Sequence, residues 1–149
     1  MNLVIIGHFP ADTDTQIRAF FPADWEVSIT ESNLAGPYLQ NADALIPEHI
    51  PIGPSFLDKA PKLRMIQTGA GYDNVDLAEC TRRSILVCSA AGVNTAAVAE
   101  HTMALILGWF KNIVYLDTFL KARRDSRELF YSGGELLGKT AGIIGLGAI

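Results

Sequence analysis

Hydrophobic residues in the first 94 positions fall in short runs separated by segments of helical spacing. Most of these runs are continuous rather than alternating, which is typical of strands buried on both faces of a parallel sheet. They predict strands at residues 3–7, 25–29, 44–46, 65–68 and 85–89. The segments between them predict helices at 15–21, 34–39, 54–59 and 77–83. This repetition predicts an α/β fold, a flavodoxin-like doubly wound parallel sheet covered by helices on both faces.

The pattern changes at Asn94, which stands where a helix N-cap is expected. Residues 95–110 are rich in Ala and Leu without proline, and a second helical stretch follows at 113–129. They predict a long linking helix with an exposed apolar face at Leu105, Leu107, Trp109 and Phe110. Residues 141–146 then predict the first strand of a second, Rossmann-type sheet. The chain therefore divides into residues 1–94 and 95–149, the second part being incomplete.

Composition and charge exclude several classes of protein. The 149 residues are 49% hydrophobic and 19% charged, which suits one domain with a core and argues against disorder. The net charge is −4, and acidic residues interrupt the densest basic cluster, Lys121, Arg123, Arg124 and Arg127. The longest apolar run, 103–110, is too short to cross a bilayer. We therefore expect neither nucleic acid nor membrane as a partner.

Cysteines and histidines form no evident constellation. Cys80 and Cys88 are too few for a disulfide framework or a metal site, and reduced thiols in a cytoplasmic protein are the default. Cys88, in an apolar run, is expected to be buried. His8 and His49 each follow a strand, but nothing in the sequence ties either to a carboxylate or a nucleophile. We expect both to be ordinary loop or surface histidines.

Two glycine-containing segments follow predicted strands. Residues 68–76, TGAGYDNVD, would leave backbone N–H groups free to bind an anion such as a carboxylate. The same residues are equally compatible with a plain turn in which Asp73 or Asn74 caps the next helix. Residues 90–101, AAGVNTAAVAEH, place Asn94 where its amide can cap a helix, contact a ligand, or do both.

A third glycine segment ends the sequence, KTAGIIGLGAI at residues 139–149. Gly145 and Gly147 begin the G-x-G-x-x-G pattern of dinucleotide-binding loops. There the first glycine allows a tight turn, and the second lets the backbone approach a pyrophosphate at a helix N-terminus. Taken alone, a strand followed by a glycine turn explains these residues as well.

Together, the three segments resemble the D-isomer-specific 2-hydroxyacid dehydrogenase family, in residues 69–76, 92–101 and 137–149. The resemblance implies an NAD- or NADP-dependent oxidoreductase that transfers hydride between the nicotinamide and a small 2-hydroxy or 2-keto acid. Its active site would lie in the cleft between two doubly wound domains. Residues 1–94 would be the substrate domain and 95–149 the start of the NAD-binding domain, with homodimer contacts in the helical region 95–130.

The resemblance also assigns site residues. The backbone at Ala70 and Gly71 would hold the substrate carboxylate, Asn94 would lie near the substrate, and Val98 near the nicotinamide. The residues that would meet the pyrophosphate are Gly145, Gly147, Ala148 and Ile149. The family's catalytic arginine, glutamate and histidine follow the dinucleotide loop. We therefore expect this chain to be an inactive N-terminal portion, with no catalytic residue and no bound cofactor.

Two other functions are compatible with the same residues. The chain could be a stand-alone flavodoxin-like module that binds a small anion or dimerises through its helix. It could also be a corepressor-like sensor that reads the dinucleotide state. Carboxylate binding without cofactor would favour the module, whereas a continuing G-x-x-G followed by arginine, glutamate and histidine would favour the enzyme.

Overall fold

The computed structural model describes residues 1–10, 12–122, 125, 127 and 133–149. The chain divides into two compact units, Met1–Ala91 and Gly92–Ile149. The strands of the first unit are β1 (Asn2–Ile6), β2 (Glu26–Thr30), β3 (Ala44–Pro47), β4 (Met65–Thr68) and β5 (Leu86–Ser89). Its helices are α1 (Asp14–Arg18), α2 (Gly36–Leu39), α3 (Pro54–Leu57) and α4 (Leu77–Arg82), with a 3-10 turn at Ser32–Leu34.

The five strands form one parallel sheet in the order β2-β1-β3-β4-β5. This is the flavodoxin-like order, so the predicted fold class is confirmed. The sheet forms because β1 and its neighbours consist largely of Leu, Val and Ile, which pack well on a pleated surface. The carboxyl ends of all five strands meet at one edge, where doubly wound sheets bind their ligands.

Helices α2, α3 and α4 cover one face of the sheet. They pack Leu39, Leu57 and Cys80 into a core with Ile6, Leu45 and Ile66. The opposite face carries a smaller core around Leu3, Ile5 and Val27, against which Ile17 of α1 packs. Alternate residues of β1 therefore point to opposite cores, as the two-residue period of a strand requires.

Helical cover is incomplete on the second face, which corrects the expectation that both faces are covered. Leu3, Ala44, Met65 and Leu86 lie in register across β1, β3, β4 and β5. Their exposed fractions rise along that row, from 3% and 7% to 37% and 69%. Cys88, two residues beyond Leu86, is exposed for the same reason, so the prediction that it is buried was wrong.

A network of charged side chains holds α4 against α3. Glu79 is buried, and its carboxylate accepts hydrogen bonds from Arg82 and from Nε of Arg83, the latter at 2.6 Å. Arg83 also donates to Oδ1 of Asp58 at 2.6 Å. The N-cap of α4 is Asp76, which accepts from the backbone N–H of Glu79 at 2.9 Å. The prediction that Asp73 or Asn74 caps this helix was therefore wrong.

The second unit contains the long helix α5 (Thr95–Phe110) and the helix α6 (Ile113–Lys121). The predicted helix 95–110 is confirmed, and no residue of α5 is buried. The predicted apolar face is confirmed at Leu105, Leu107 and Trp109, which are 62%, 41% and 82% exposed, whereas Phe110 is half-buried. Most of the predicted helix beyond residue 122 lies outside the described residues, as do Arg123 and Arg124 of the basic cluster.

In the part of the chain that the structure describes, no single helix is long and apolar enough to cross a membrane. Helices α5 and α6 reach it only as a pair, by length and composition, with a bend of 61° between them.

Residues 141–149 are exposed and contain no regular secondary structure, so the predicted strand 141–146 was wrong for this chain. A strand is stable only when a neighbouring strand takes its backbone hydrogen bonds. Among the described residues, no strand lies beside this segment.

Candidate functional site

A cavity of about 420 Å³ opens at the carboxyl ends of β3 and β4. Its wall is formed by the last residue of each of these two strands and by residues of the loops that follow: Pro47, Glu48, His49, Thr68, Gly69, Ala70, Gly71, Asp73 and Asn74. The volume suits a small organic molecule. Ala70 and Gly71, the residues assigned to the substrate carboxylate, both line this cavity.

Hydrogen bonds hold the 69–74 loop at both ends. The N–H of Ala90 donates to the carbonyl of Gly69 at 2.8 Å, and the hydroxyl of Thr68 donates to the carbonyl of Cys88. At the other end, Nδ2 of Asn74 donates to the carbonyl of Ile50 at 2.7 Å. The loop is thereby tied both to β5 and to the chain that follows β3.

Between these anchors, the backbone N–H groups of Ala70 and Gly71 have no acceptor within the described part of the chain. Both residues are exposed. Gly71 does not have a positive φ, so its backbone conformation does not require glycine. A Cβ there would approach only Oδ2 of Asp73, at 3.3 Å. The loop thus offers two free backbone donors, which is what an anion-binding loop needs, with Oδ2 of Asp73 close to Gly71.

The charged side chains of the cavity wall are acidic. Glu48 comes from the loop after β3 and Asp73 from the loop after β4, while the wall residues include no lysine or arginine. His49 stands beside Glu48 with φ of 50°, in the left-handed region that non-glycine residues seldom adopt. This backbone conformation places His49 on the wall of the cavity.

Sequence reasoning missed the role of His49 and Glu48 in this wall. The available signal was their position directly after β3, which corresponds to the position of Gly69 and Ala70 after β4. His8 is an exposed loop histidine, as predicted, and its Nδ1 lies 3.0 Å from Oε1 of Glu31. Among the described residues, no group of three or more His, Cys, Asp or Glu side chains could hold a metal ion.

The structure places Asn94 and Val98 in the first turn of α5. Asn94 occupies the N-cap position, but its side chain makes no capping hydrogen bond, so the expected capping role was wrong. Its φ and ψ of −105° and 8° differ from the extended values at which a side chain reaches back to the helix. Its amide is therefore exposed. The N–H of half-buried Val98 donates to the carbonyl of Asn94 at 2.9 Å.

The residues assigned to the pyrophosphate, Gly145, Gly147, Ala148 and Ile149, are exposed. Gly145 has φ of +102°, a conformation that residues with a side chain rarely adopt. This agrees with a tight turn at the first glycine of a dinucleotide loop. A Cβ at Gly147 would meet nothing within 4 Å.

Several proteins of known activity are similar to this chain. A glyoxylate reductase from Thermofilum pendens is 40% identical over 102 residues, which are 66% of this chain and 30% of that protein. A D-3-phosphoglycerate dehydrogenase from Mycobacterium leprae is 40% identical over 110 residues, 72% of this chain and 21% of that protein. The chain therefore spans less than a third of either relative's length.

A solved structure shows the same fold. D-lactate dehydrogenase from Aquifex aeolicus, crystallised with NAD and lactic acid, matches with a TM-score of 0.73 at 25% identity. The match covers 86% of this chain and 40% of that one.

The family assignment rests on most of the chain. Residues 13–143 match the family described as D-isomer specific 2-hydroxyacid dehydrogenase, catalytic domain. The matched residues include both loops of the cavity, 47–49 and 68–74. This chain belongs to the D-isomer specific 2-hydroxyacid dehydrogenase family.

Proposed function

We propose that this chain supplies the substrate-binding part of an NAD- or NADP-dependent D-2-hydroxyacid dehydrogenase. The observation that carries the proposal is the pair of free backbone N–H groups at Ala70 and Gly71, on the wall of a cavity at the carboxyl edge of the sheet. Two such donors bind a carboxylate without a dedicated side chain. In this proposal, they hold the carboxylate of a small 2-hydroxy or 2-keto acid.

The proposed cofactor site lies in the second unit. The similar D-lactate dehydrogenase from Aquifex aeolicus was crystallised with both NAD and lactic acid, which supports a nicotinamide dinucleotide here. Bound there, the cofactor would supply the hydride acceptor or donor. Gly145, Gly147, Ala148 and Ile149 would lie against its pyrophosphate, and the positive φ of Gly145 supports a tight turn there.

The roles of the two parts follow from this assignment. Residues 1–94 form the proposed substrate domain, and residues 95–149 begin the proposed NAD-binding domain. Asn94 and Val98, at the start of α5, would face the substrate and the nicotinamide, respectively. The exposed amide of Asn94 supports this role, because it is not used for capping.

We propose no acid or base within this chain. Hydride transfer to a keto acid needs a proton donor and a cation that polarises the carbonyl. The resemblance places those groups, a histidine–glutamate pair and an arginine, after the dinucleotide loop. His49 lines the cavity, but no carboxylate pairs with it among the described residues. We therefore expect the 149-residue chain to bind substrate weakly and to be inactive, with or without cofactor.

Helix α5 is the proposed homodimer interface, within the region 95–130. It has 16 residues, none of them buried, and Trp109 is 82% exposed. Such an apolar surface is costly to leave in water, and packing against a second copy would remove it.

Replacement of Gly71 by alanine tests the proposed carboxylate site. The only close contact of the new Cβ is Oδ2 of Asp73 at 3.3 Å, so the fold should tolerate it. The methyl group would fill the space beside the two donors, and the affinity for glyoxylate should fall about tenfold, or ~1.4 kcal/mol. Isothermal titration calorimetry of the 149-residue chain measures this loss.

Gly36→Ala is the matched control, because a Cβ there meets nothing within 4 Å and Gly36 does not line the cavity. It should leave the affinity unchanged. Equal losses in the two variants, or full affinity in Gly71→Ala, would contradict the proposed site.

A further inference from the structure

We propose that the cavity discriminates against substrates with a second anionic group, so that the substrate's only negative charge is its carboxylate. This inference rests on the proposed function and names the class of acid that the site accepts. It follows from the charge of the cavity wall and from the positions of two carboxylates within that wall.

The two acidic side chains approach the cavity from different loops. Glu48 follows β3 and lines the cavity, and its Oε2 lies toward the end of β1, 2.8 Å from the position that a Cβ on Gly7 would take. Asp73 follows β4, and its Oδ2 lies 3.3 Å from the corresponding position on Gly71. A ligand whose carboxylate is held at Ala70 and Gly71 therefore has an acidic group beside its anchor, and a second one on the wall contributed by β3.

Neither carboxylate is neutralised by a neighbour. In the described part of the chain, Glu48 and Asp73 form no side-chain hydrogen bond and no ion pair. Both side chains are exposed. The wall residues contain no lysine or arginine that could bind a phosphate.

The consequence depends on the substituent at the far end of the acid. A hydroxyl or methyl group meets the carboxylates at little electrostatic cost, and a hydroxyl can donate a hydrogen bond to either of them. A phosphate carries a charge of about −1.5 to −2 at pH 7 and is repelled by both. Since the two like charges act within a cavity of about 420 Å³, we expect at least a tenfold preference for the unphosphorylated acid.

The test uses two ligands that differ only in the phosphate, D-glycerate and D-3-phosphoglycerate. Affinities are measured from backbone amide shifts of the ¹⁵N-labelled 149-residue chain at fixed ionic strength. D-glycerate should bind at least tenfold more tightly. In the double variant Glu48→Gln with Asp73→Asn, this ratio should fall to about threefold or less, because both repulsive charges are removed.

The matched control removes two exposed carboxylates of the first unit that do not line the cavity, Asp24→Asn with Glu26→Gln. It changes the net charge equally and should keep the tenfold ratio.

Each remaining outcome has a distinct meaning. Equal or tighter binding of D-3-phosphoglycerate at Ala70 and Gly71 overturns this inference and leaves the proposed carboxylate site intact. The inference is also overturned if the control variant lowers the ratio of the two affinities as much as the cavity variant does. The proposed carboxylate site would not be affected by that result. Absence of any shift at Ala70 and Gly71 with either ligand overturns the proposed function, and this inference with it.

Discussion

At the scale of single residues, Asn74 connects the two loops that form the cavity. Its Nδ2 donates to the carbonyl of Ile50 at 2.7 Å, and its own carbonyl accepts from the N–H of Ile52 at 2.8 Å. The carbonyl of Ile52 in turn accepts from the N–H of Asp76 at 2.9 Å. The positions of Glu48 and His49 relative to the 69–74 loop therefore depend on one side-chain amide together with two backbone hydrogen bonds.

Replacing Asn74 by alanine should lower the free energy of unfolding by about 1–3 kcal/mol, because the carbonyl of Ile50 loses its donor in a partly buried position. The same change should weaken glyoxylate binding by loosening the loop. Urea denaturation followed by circular dichroism measures the first effect. Asn33→Ala is the control, since Asn33 is exposed in the 3-10 turn and should lose less than about 0.5 kcal/mol.

Glu79 makes the stability of the first unit depend on pH. Hydrogen bonds from Arg82, and next from Arg83, lower the pKa of this carboxyl below its ordinary value of 4.5. The ionised form is therefore favoured by folding, and its contribution is present above pH 4.5. It is lost as the pH falls through the lowered pKa of the folded state.

The variant Glu79→Gln should accordingly melt at a lower temperature than the wild type at pH 7. The two should converge as the pH falls from 4.5 through the lowered pKa of the folded state, where the wild-type carboxyl becomes protonated. Differential scanning fluorimetry across pH 3–7 records this. Glu26→Gln, at an exposed position, should run parallel to the wild type. A constant gap between Glu79→Gln and the wild type at every pH would refute the ionic role.

At the scale of elements, the local hydrophobic pattern predicted the bounds of some helices and strands correctly. The helix at 95–110 was predicted with its observed bounds, and the strand at 65–68 likewise. The strand at 141–146 was predicted from equally apolar residues and is absent. The difference is that a helix forms its hydrogen bonds internally, whereas a strand requires a neighbour that the local sequence does not specify.

The same dependence on distant segments explains why the predicted burial of β5 was wrong. The apolar residues of β5 predicted burial on both faces, yet Leu86 is 69% exposed. Which face of an edge strand is covered depends on how far the helices of distant segments extend. Local periodicity carries no information about that, so Cys88 was misplaced together with Leu86.

The proposed homodimer interface on helix α5 can be tested by mutation. If Trp109 lies in a homodimer interface, Trp109→Glu should convert a dimer to a monomer, because a charge would be buried against an apolar surface. Size-exclusion chromatography with light scattering at 50 µM gives the mass directly, about 32 kDa against 16.1 kDa for one chain.

Phe20→Glu is the matched control for this experiment. Phe20 is 84% exposed, nearly the same as Trp109, but it belongs to the first unit and lies outside the proposed interface. Its variant should remain dimeric. A wild-type chain that is monomeric at this concentration would contradict the proposed interface.

At the scale of the whole molecule, the candidate site could be predicted only in part. The resemblance assigned Ala70 and Gly71 to the substrate carboxylate, whereas the residues alone left a plain turn as an alternative, because free backbone donors in a glycine loop do not by themselves specify a ligand. His49 was missed because its left-handed backbone and its place in the wall arise from packing between loops that are about 20 residues apart in the sequence. The capping role of Asn94 failed because it depends on φ and ψ that residue type does not determine.

The two compact units have different proposed roles. The first has a complete parallel sheet, a core on each face and a cavity at its carboxyl edge. The second has exposed apolar helices and an exposed glycine segment. In the proposed enzyme, the first unit recognises the acid and the second begins the cofactor site, so carboxylate binding should not require the cofactor.

Amide chemical-shift mapping tests the central claim most directly. The ¹⁵N-labelled 149-residue chain is titrated with glyoxylate at constant ionic strength and without nucleotide. The account predicts saturable shifts that are largest at the backbone N–H groups of Ala70 and Gly71, with the amide of Gly36 unmoved. Saturation that leaves Ala70 and Gly71 unshifted while other amides move, or no saturable shift anywhere, would contradict it.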